Sequence, residues 1–294
     1  MLFIDRCDGR RVRGLPTFPA IVPYVVRGRN EASVFFSKDI DVENALRYSR
    51  LHSAGAGQER PAGESAAQAG PRPTLFGIAI AAAVRTIALK PRLNRFVHRK
   101  RIYQREGISA SFVIKRSAEA DGDETAAKVA FDPRDTLAEA MGRIEEGISR
   151  GRGGAVEDRL SVAHRLPFGK AAVTAAFRLL DRMNLPPPAM LREDPLFTSI
   201  HFANLGSIGL DTPFHALYEW GTASIFVVMG RMFQKETPRP DGGTSLRHFI
   251  NFKITVDERI AEGSYYAHAA ALFQRLIARP ELLERPPLLS EVEA

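Results

Sequence analysis

The chain has 294 residues, 45% apolar and 26% charged, which are ordinary proportions for a globular protein. That length makes one large domain or two small ones, and a chain of this size needs no staples to fold. The net charge of +7 suits anionic partners in general, while a single cysteine, Cys7, excludes an internal disulfide framework and any multi-thiolate metal site.

Residues 1–20 are rich in arginine, lack the apolar segment of a secretory leader and read as an N-terminal extension. A first strand is expected from about Ala32 to Val42, then a helix from Glu43 to His52. Residues 53–73 are Ala, Gly, Ser, Gln and Pro with almost no large apolar side chain, which predicts a flexible loop inserted in the domain. Thr74 to Lys90 predicts a buried helix, apolar on nearly every face. Its apolar run, Leu75 to Val84, is too short for a bilayer core, which takes about 20 residues. With one cysteine and no leader, a reducing, cytoplasmic location is expected.

Ile108–Arg116 and Ala126–Asp132 read as strands, and Thr136–Ser149 as a helix opened by a capping box of Thr136 and Glu139. Residues 156–191 predict a helical insert in two pieces, broken near Pro167 and stopped by Pro186–Pro188. Phe197–Asn204 alternates as a strand does. Ala223–Gly230 is a continuous apolar run, the pattern of a central strand covered on both faces. In Leu246–Val256, Leu246, His248, Ile250, Phe252, Ile254 and Val256 share one face at a period of two. A helix over Ser264–Ala278 ends at Pro280, and residues 288–294 form a tail. Strands and helices mixed without regular alternation imply an α/β (α+β) sandwich with a mixed sheet.

No phosphate-binding glycine loop, zinc-binding His-Glu-x-x-His or nucleophile-elbow motif is present. None of the seven histidines has metal-ligand spacing to another, so no metal is expected. The stretch Arg92–Arg105 carries Arg92, Arg95, Arg99, Lys100, Arg101 and Arg105; it reads first as a solvated basic face, and otherwise as an attraction for a phosphorylated ligand. No nucleic-acid-binding motif accompanies it.

The last forty residues carry the most specific pattern. The strand ending at Val256 runs into Asp257-Glu258-Arg259-Ile260-Ala261-Glu262-Gly263, and the following helix into Arg279-Pro280-Glu281-Leu282-Leu283. This resembles the D-H-R-x-x-D-G and P-E-L-L elements of the catalytic domain of dihydrolipoyl acyltransferases from 2-oxoacid dehydrogenase complexes. Pro91-Arg92-Leu93-Asn94 is similar to that family's P-x-L-N, Ala203-Asn204-Leu205-Gly206 to its S-N-L-G, and Asp39-Ile40-Asp41-Val42 to its D-V-D. The strand closing in Gly230-Arg231 matches its G-R. The resemblance spans residues 21–287 and implies a chloramphenicol acetyltransferase-like mixed sheet with covering helices. It also implies a homotrimer, with or without higher assembly, whose active sites lie between neighbouring subunits and use coenzyme A as substrate.

Carried over position by position, the general base falls on Glu258, the oxyanion donor on Ala203 and the structural aspartate on Glu262. Asn204, Gly206 and Arg259 fall in the cofactor-binding motifs. Alanine donates no hydrogen bond, and losing one oxyanion donor costs roughly 10²–10³ in rate. Glutamates titrate near about 4.3 in water and thiols near about 8.5, a poor match unless burial raises the carboxyl. The other reading of Glu258 is a structural carboxylate paired with Arg259 or another arginine. His201 is two residues from Ala203 on the same strand face, roughly 7 Å away; it and His215 are the candidates for a relocated base. For Glu262 the expected partner is Arg27 or Arg29. Only about 20 residues precede the resemblance, too few for a lipoyl domain, so a stand-alone catalytic domain is expected.

Three functions are consistent with these residues. One is a weak or inactive acyltransferase that keeps an acyl or coenzyme A pocket. The second is an active acyltransferase using Glu258 or a relocated histidine, and the third a structural or regulatory trimeric scaffold. No covalently bound cofactor, nucleic acid or membrane enters any of them; an acyl thioester is the ligand of the first two.

Overall fold

The computed structural model describes residues 6–54, 72–115, 124–152 and 169–287. The expected loop at 53–73, the first piece of the expected insert and the tail lie largely outside them. Six strands form the main sheet: β2 (Ser33–Asp41), β5 (Ile108–Lys115), β6 (Glu124–Phe131), β7 (Ile200–Asn204), β8 (Ile225–Pro238) and β9 (Thr244–Asp257). Their order is β2-β9-β8-β7-β5-β6. Among the described strands only the β5–β7 and β7–β8 pairs are parallel, so the sheet is mixed.

Four helices lie against the core: α2 (Glu43–Ala54), α3 (Leu75–Leu89), α4 (Leu137–Arg152) and α7 (Gly263–Ala278). The Ala- and Ile-rich α3 is buried almost throughout, because its small side chains let the sheet and α7 approach from both sides. Thr74 caps it, its hydroxyl accepting from the Gly77 N–H at 3.0 Å. The capping box of α4 forms too: the Thr136 N–H donates to Glu139 Oε2 at 2.7 Å and the Glu139 N–H to Thr136 Oγ1 at 3.4 Å. Arg85, buried inside α3, donates to the carbonyls of Asp135 and Arg285, which fastens the chain beyond Pro280–Leu283 to the core.

The stretch read as an N-terminal extension contributes structure. Its strand β1 (Gly9–Arg11) joins β3 (Arg95–His98) and β4 (Arg101–Arg105) in a second sheet of order β1-β4-β3. Buried Arg6 anchors it, bonding Asp8 at 2.7 Å and Asp181 at 2.6 Å. Helix α1 (Thr17–Val25) follows and exposes Phe18, Ile21 and Val25.

Asp181 belongs to α5 (Gly169–Arg182), the described piece of the expected insert; a short α6 (Pro188–Glu193) follows the proline run. Phe177 of α5 packs edge-on against Phe197 and Trp220, both at 5.6 Å, so this helix is fixed on the protein body by aromatic contacts. Among the described residues no helix is long and apolar enough to cross a membrane.

Candidate functional site

Strand β9 ends where the sequence pattern places the base, and alternation decides what each residue does there. Asp257 is wholly buried, Glu258 exposed and Arg259 buried. Arg259 grips Asp257 with two parallel bonds, Nε to Oδ1 at 2.8 Å and Nη2 to Oδ2 at 2.7 Å. Its remaining amine donates to the Arg27 carbonyl at 2.9 Å. Arg29 also senses the Asp257 charge, although burial pushes its guanidinium down to about 10.

The structure therefore corrects one expectation: Arg259 is the partner of Asp257, not of Glu258. Among the described residues the Glu258 carboxylate has no ion pair, and only its backbone is held, its N–H donating to the Ala32 carbonyl at 3.0 Å. The side chain lines a cleft of about 520 Å³ between α1 and the start of α7. Val22, Val25 and Val26 form an apolar wall, while Arg92, Arg95 and Arg259 bring positive charge.

A second correction concerns Glu262. Neither Arg27 nor Arg29 reaches it; Arg92 does, Nη1 lying 2.8 Å from Oε2. Arg92 belongs to the Pro91–Asn94 turn, so the segments resembling P-x-L-N and D-G are joined by this ion pair. The Glu262 carboxyl is held below its usual range by its own backbone N–H and by Arg92. Nearness in sequence to the first strand suggested the wrong arginine, because the turn before β3 folds back over the N-terminus of α7.

Ala203 lies elsewhere. It sits on β7 opposite Val228 of β8, which in turn faces Lys253 of β9, five residues before Glu258. Ala203 and Glu258 line different cavities with no lining residue in common. Next to Ala203, Asn204 closes a turn by accepting the Ser207 N–H at 3.2 Å. Gly206 lies against Gly230: a Cβ there would meet the Gly230 carbonyl oxygen at 2.3 Å. The stretches resembling S-N-L-G and G-R thus meet backbone to backbone, so Asn204 and Gly206 shape this turn.

His201 and His215 do come together. His215 stacks on Phe226 with centroids 3.9 Å apart, and His201 meets Tyr218 edge-on at 5.3 Å. His201, Ala203, Ser111 and Tyr218 surround a small void of about 80 Å³. Burial pushes the His201 imidazole down to about 3, and His215 acts in the same direction. It stays neutral near neutral pH, and its buried Nε2 has no hydrogen-bond partner among the described residues. Such a ring accepts protons poorly. Among the described residues no group of three or more His, Cys, Asp or Glu is placed to hold a metal ion.

No family model and no curated protein matches the sequence of this chain. Solved structures do match its fold. A probable dihydrolipoamide acetyltransferase from Listeria monocytogenes 4b F2365 aligns with a TM-score of 0.56 and 11% identity, covering 92% of this chain and 94% of that one. The cubic core of a pyruvate dehydrogenase multienzyme complex aligns at 0.55 with 12% identity, covering 92% and 93%. A dihydrolipoamide acetyltransferase from Azotobacter vinelandii aligns at 0.53 with 12% identity over the same shares. The chain thus has the chloramphenicol acetyltransferase-like acyltransferase fold, in the form found in dihydrolipoamide acetyltransferase cores.

Proposed function

We propose that this chain binds an acyl thioester of coenzyme A in the Glu258 cleft and transfers acyl groups weakly or not at all. The observation that carries the reading is Glu258 itself, a carboxylate without an ion-pair partner among the described residues, facing an open cleft of about 520 Å³. A purely structural glutamate would be expected to be engaged by one of the neighbouring arginines. In an active form Glu258 would take the thiol proton, the thiolate would attack the thioester carbonyl, and the tetrahedral oxyanion would collapse and expel the departing thiolate, which would take the proton back from Glu258. A carboxylate is a weak base for a thiol, and Ala203 offers the oxyanion no hydrogen bond.

The proposal includes a homotrimer in a cytoplasmic setting. Within one chain Glu258 and Ala203 face separate cavities, so a complete site of the acyltransferase kind needs a neighbouring copy. The sheet face away from α3 leaves Phe35 and Phe214 about half exposed, their rings 5.4 Å apart, as expected of a surface that a second copy covers.

Calorimetric titration with coenzyme A and acetyl-coenzyme A, with size exclusion alongside, tests this. Saturable binding by a trimer, weakened in Glu258→Ala, is the expected result. The double change Glu258→His with Ala203→Ser should raise thioester exchange in a folded trimer. A trimer that binds neither ligand would sink the pocket reading and leave the scaffold role.

A further inference from the structure

Helix α1 separates the Glu258 cleft from a second cleft, also of about 520 Å³. Arg11, Arg13, Lys100 and Arg101 line this second cleft together with Tyr24, and no acidic residue does. Several arginines elsewhere are matched, Arg10 with Glu106, Arg92 with Glu262, Arg231 with Asp211 and Arg247 with Asp41, while others such as Arg134 and Arg192 stand singly on the surface among the described residues; what sets this cleft apart is four cations around one concavity. None of the four cleft cations has an ion pair among the described residues. Four like charges around one concavity repel one another, and the concave walls concentrate their field.

The backbone also bears on this cleft. Arg99 and Lys100 form the two-residue turn between β3 and β4, with His98 paired to Arg101 across it. Both take left-handed conformations, with φ of 48° and 62°. Asn-Gly is the usual occupant of such a turn, because long side chains adopt that conformation at a cost. Here the turn brings Lys100 to the cleft, its Nζ 5.3 Å from the centre of the Tyr24 ring. Strain of this kind persists where the site it builds has a use.

We propose that this cleft binds a small molecule carrying two or more phosphate groups. Guanidinium forks match phosphate oxygens in pairs, and the volume falls in the range of small-ligand sites. The cations converge on a concavity, which fits a compact ligand better than a flat membrane or a long duplex. Tyr24, 54% exposed, offers a ring face to a flat group attached to the phosphates. The two clefts adjoin, since Leu15 and Ile102 line both, but this site stands without the Glu258 reading.

The test is calorimetry of the full chain with inorganic pyrophosphate and with ADP, at low and at physiological salt. One-to-one binding is expected, weakened at least about tenfold by Arg13→Gln with Arg101→Gln. Lys38→Gln, an exposed lysine of β2 outside the cleft, should leave it unchanged. If the double variant fails to fold by circular dichroism, Lys100→Gln replaces it, with a smaller loss expected. ADP binding more tightly than pyrophosphate, with that excess removed by Tyr24→Ala, identifies a nucleotide; equal affinities identify the phosphates alone. The proposal is overturned if neither probe saturates, if Lys38→Gln weakens binding equally, or if only anionic vesicles or duplex DNA bind.

Discussion

Arg92 Nη1 donates to both carboxylate oxygens of Glu262, at 2.8 and 3.0 Å, and so joins the turn before β3 to the N-cap of α7. Both side chains are about half exposed, so the pair is screened and worth at most about 1 kcal/mol. Glu262→Gln should lower the urea-unfolding free energy by no more than that. Because the folded-state carboxyl is held below its ordinary value, this contribution is present above about pH 4.3 and fades as pH falls through the folded value. Unfolding curves at neutral and mildly acid pH check both the size and the direction.

The Asp257–Arg259 pair is a different case, because both partners are buried. Asp257→Ala leaves the Arg259 charge without its carboxylate, beside buried Arg29, and should cost roughly 3–5 kcal/mol. Thermal unfolding by circular dichroism reads this directly, and a loss below about 1 kcal/mol would contradict the account.

Buried His201 and partly buried His98 make the fold sensitive to acid. Burial pushes His201 down to about 3 and His98 down to about 4, while in the unfolded chain each titrates near about 6.5. The unfolded state therefore binds more protons over this interval, and stability declines as pH drops from about 6.5 towards those folded values. His201→Phe, among the rings of Tyr218 and Phe226, should shrink the stability difference between about pH 7 and about pH 5. Part of the difference should remain through His98.

Gly206→Ala places a methyl group 2.3 Å from the Gly230 carbonyl oxygen, which is backbone and cannot rotate away. The strands must separate locally, at a cost of about 1–3 kcal/mol. A lowered unfolding midpoint in the purified variant is the expected reading, and an unchanged midpoint would show that the turn yields freely.

The sequence was most readable where one period holds over many residues. Ile225–Gly230 is apolar without interruption because that half of β8 is covered on both faces, and the fold confirms it. The outer half of β8 lies beyond the sequence reading, since Lys235 and Glu236 are exposed and no burial pattern marks them, whereas the alternation from Leu246 to Val256 places β9 to within two residues of its ends. Strand β1 is three residues long and arginine-rich, too short for any period to show. At the site, the order of Asp257, Glu258 and Arg259 was legible, but the partners were not. Alternation turns Arg259 inward to Asp257 and leaves Glu258 in the cleft, and Arg92 reaches Glu262 from a position 170 residues away. Such pairings follow from the turn geometry of the folded chain.

The register of β2 bears on the timing of folding. Among the described residues this edge strand has one partner in the sheet, β9, which pairs Ser33 with Asp257, and the side chains of Ser37 and Asn251 meet across 214 residues. Closing so long a loop is entropically costly, and topologies built on distant pairings fold slowly. During synthesis β2 must wait for nearly the whole chain to leave the ribosome. In that interval its apolar residues Val34, Phe36 and Ile40 have no sheet partner, which makes this strand a natural point of capture by a chaperone or by a second nascent copy.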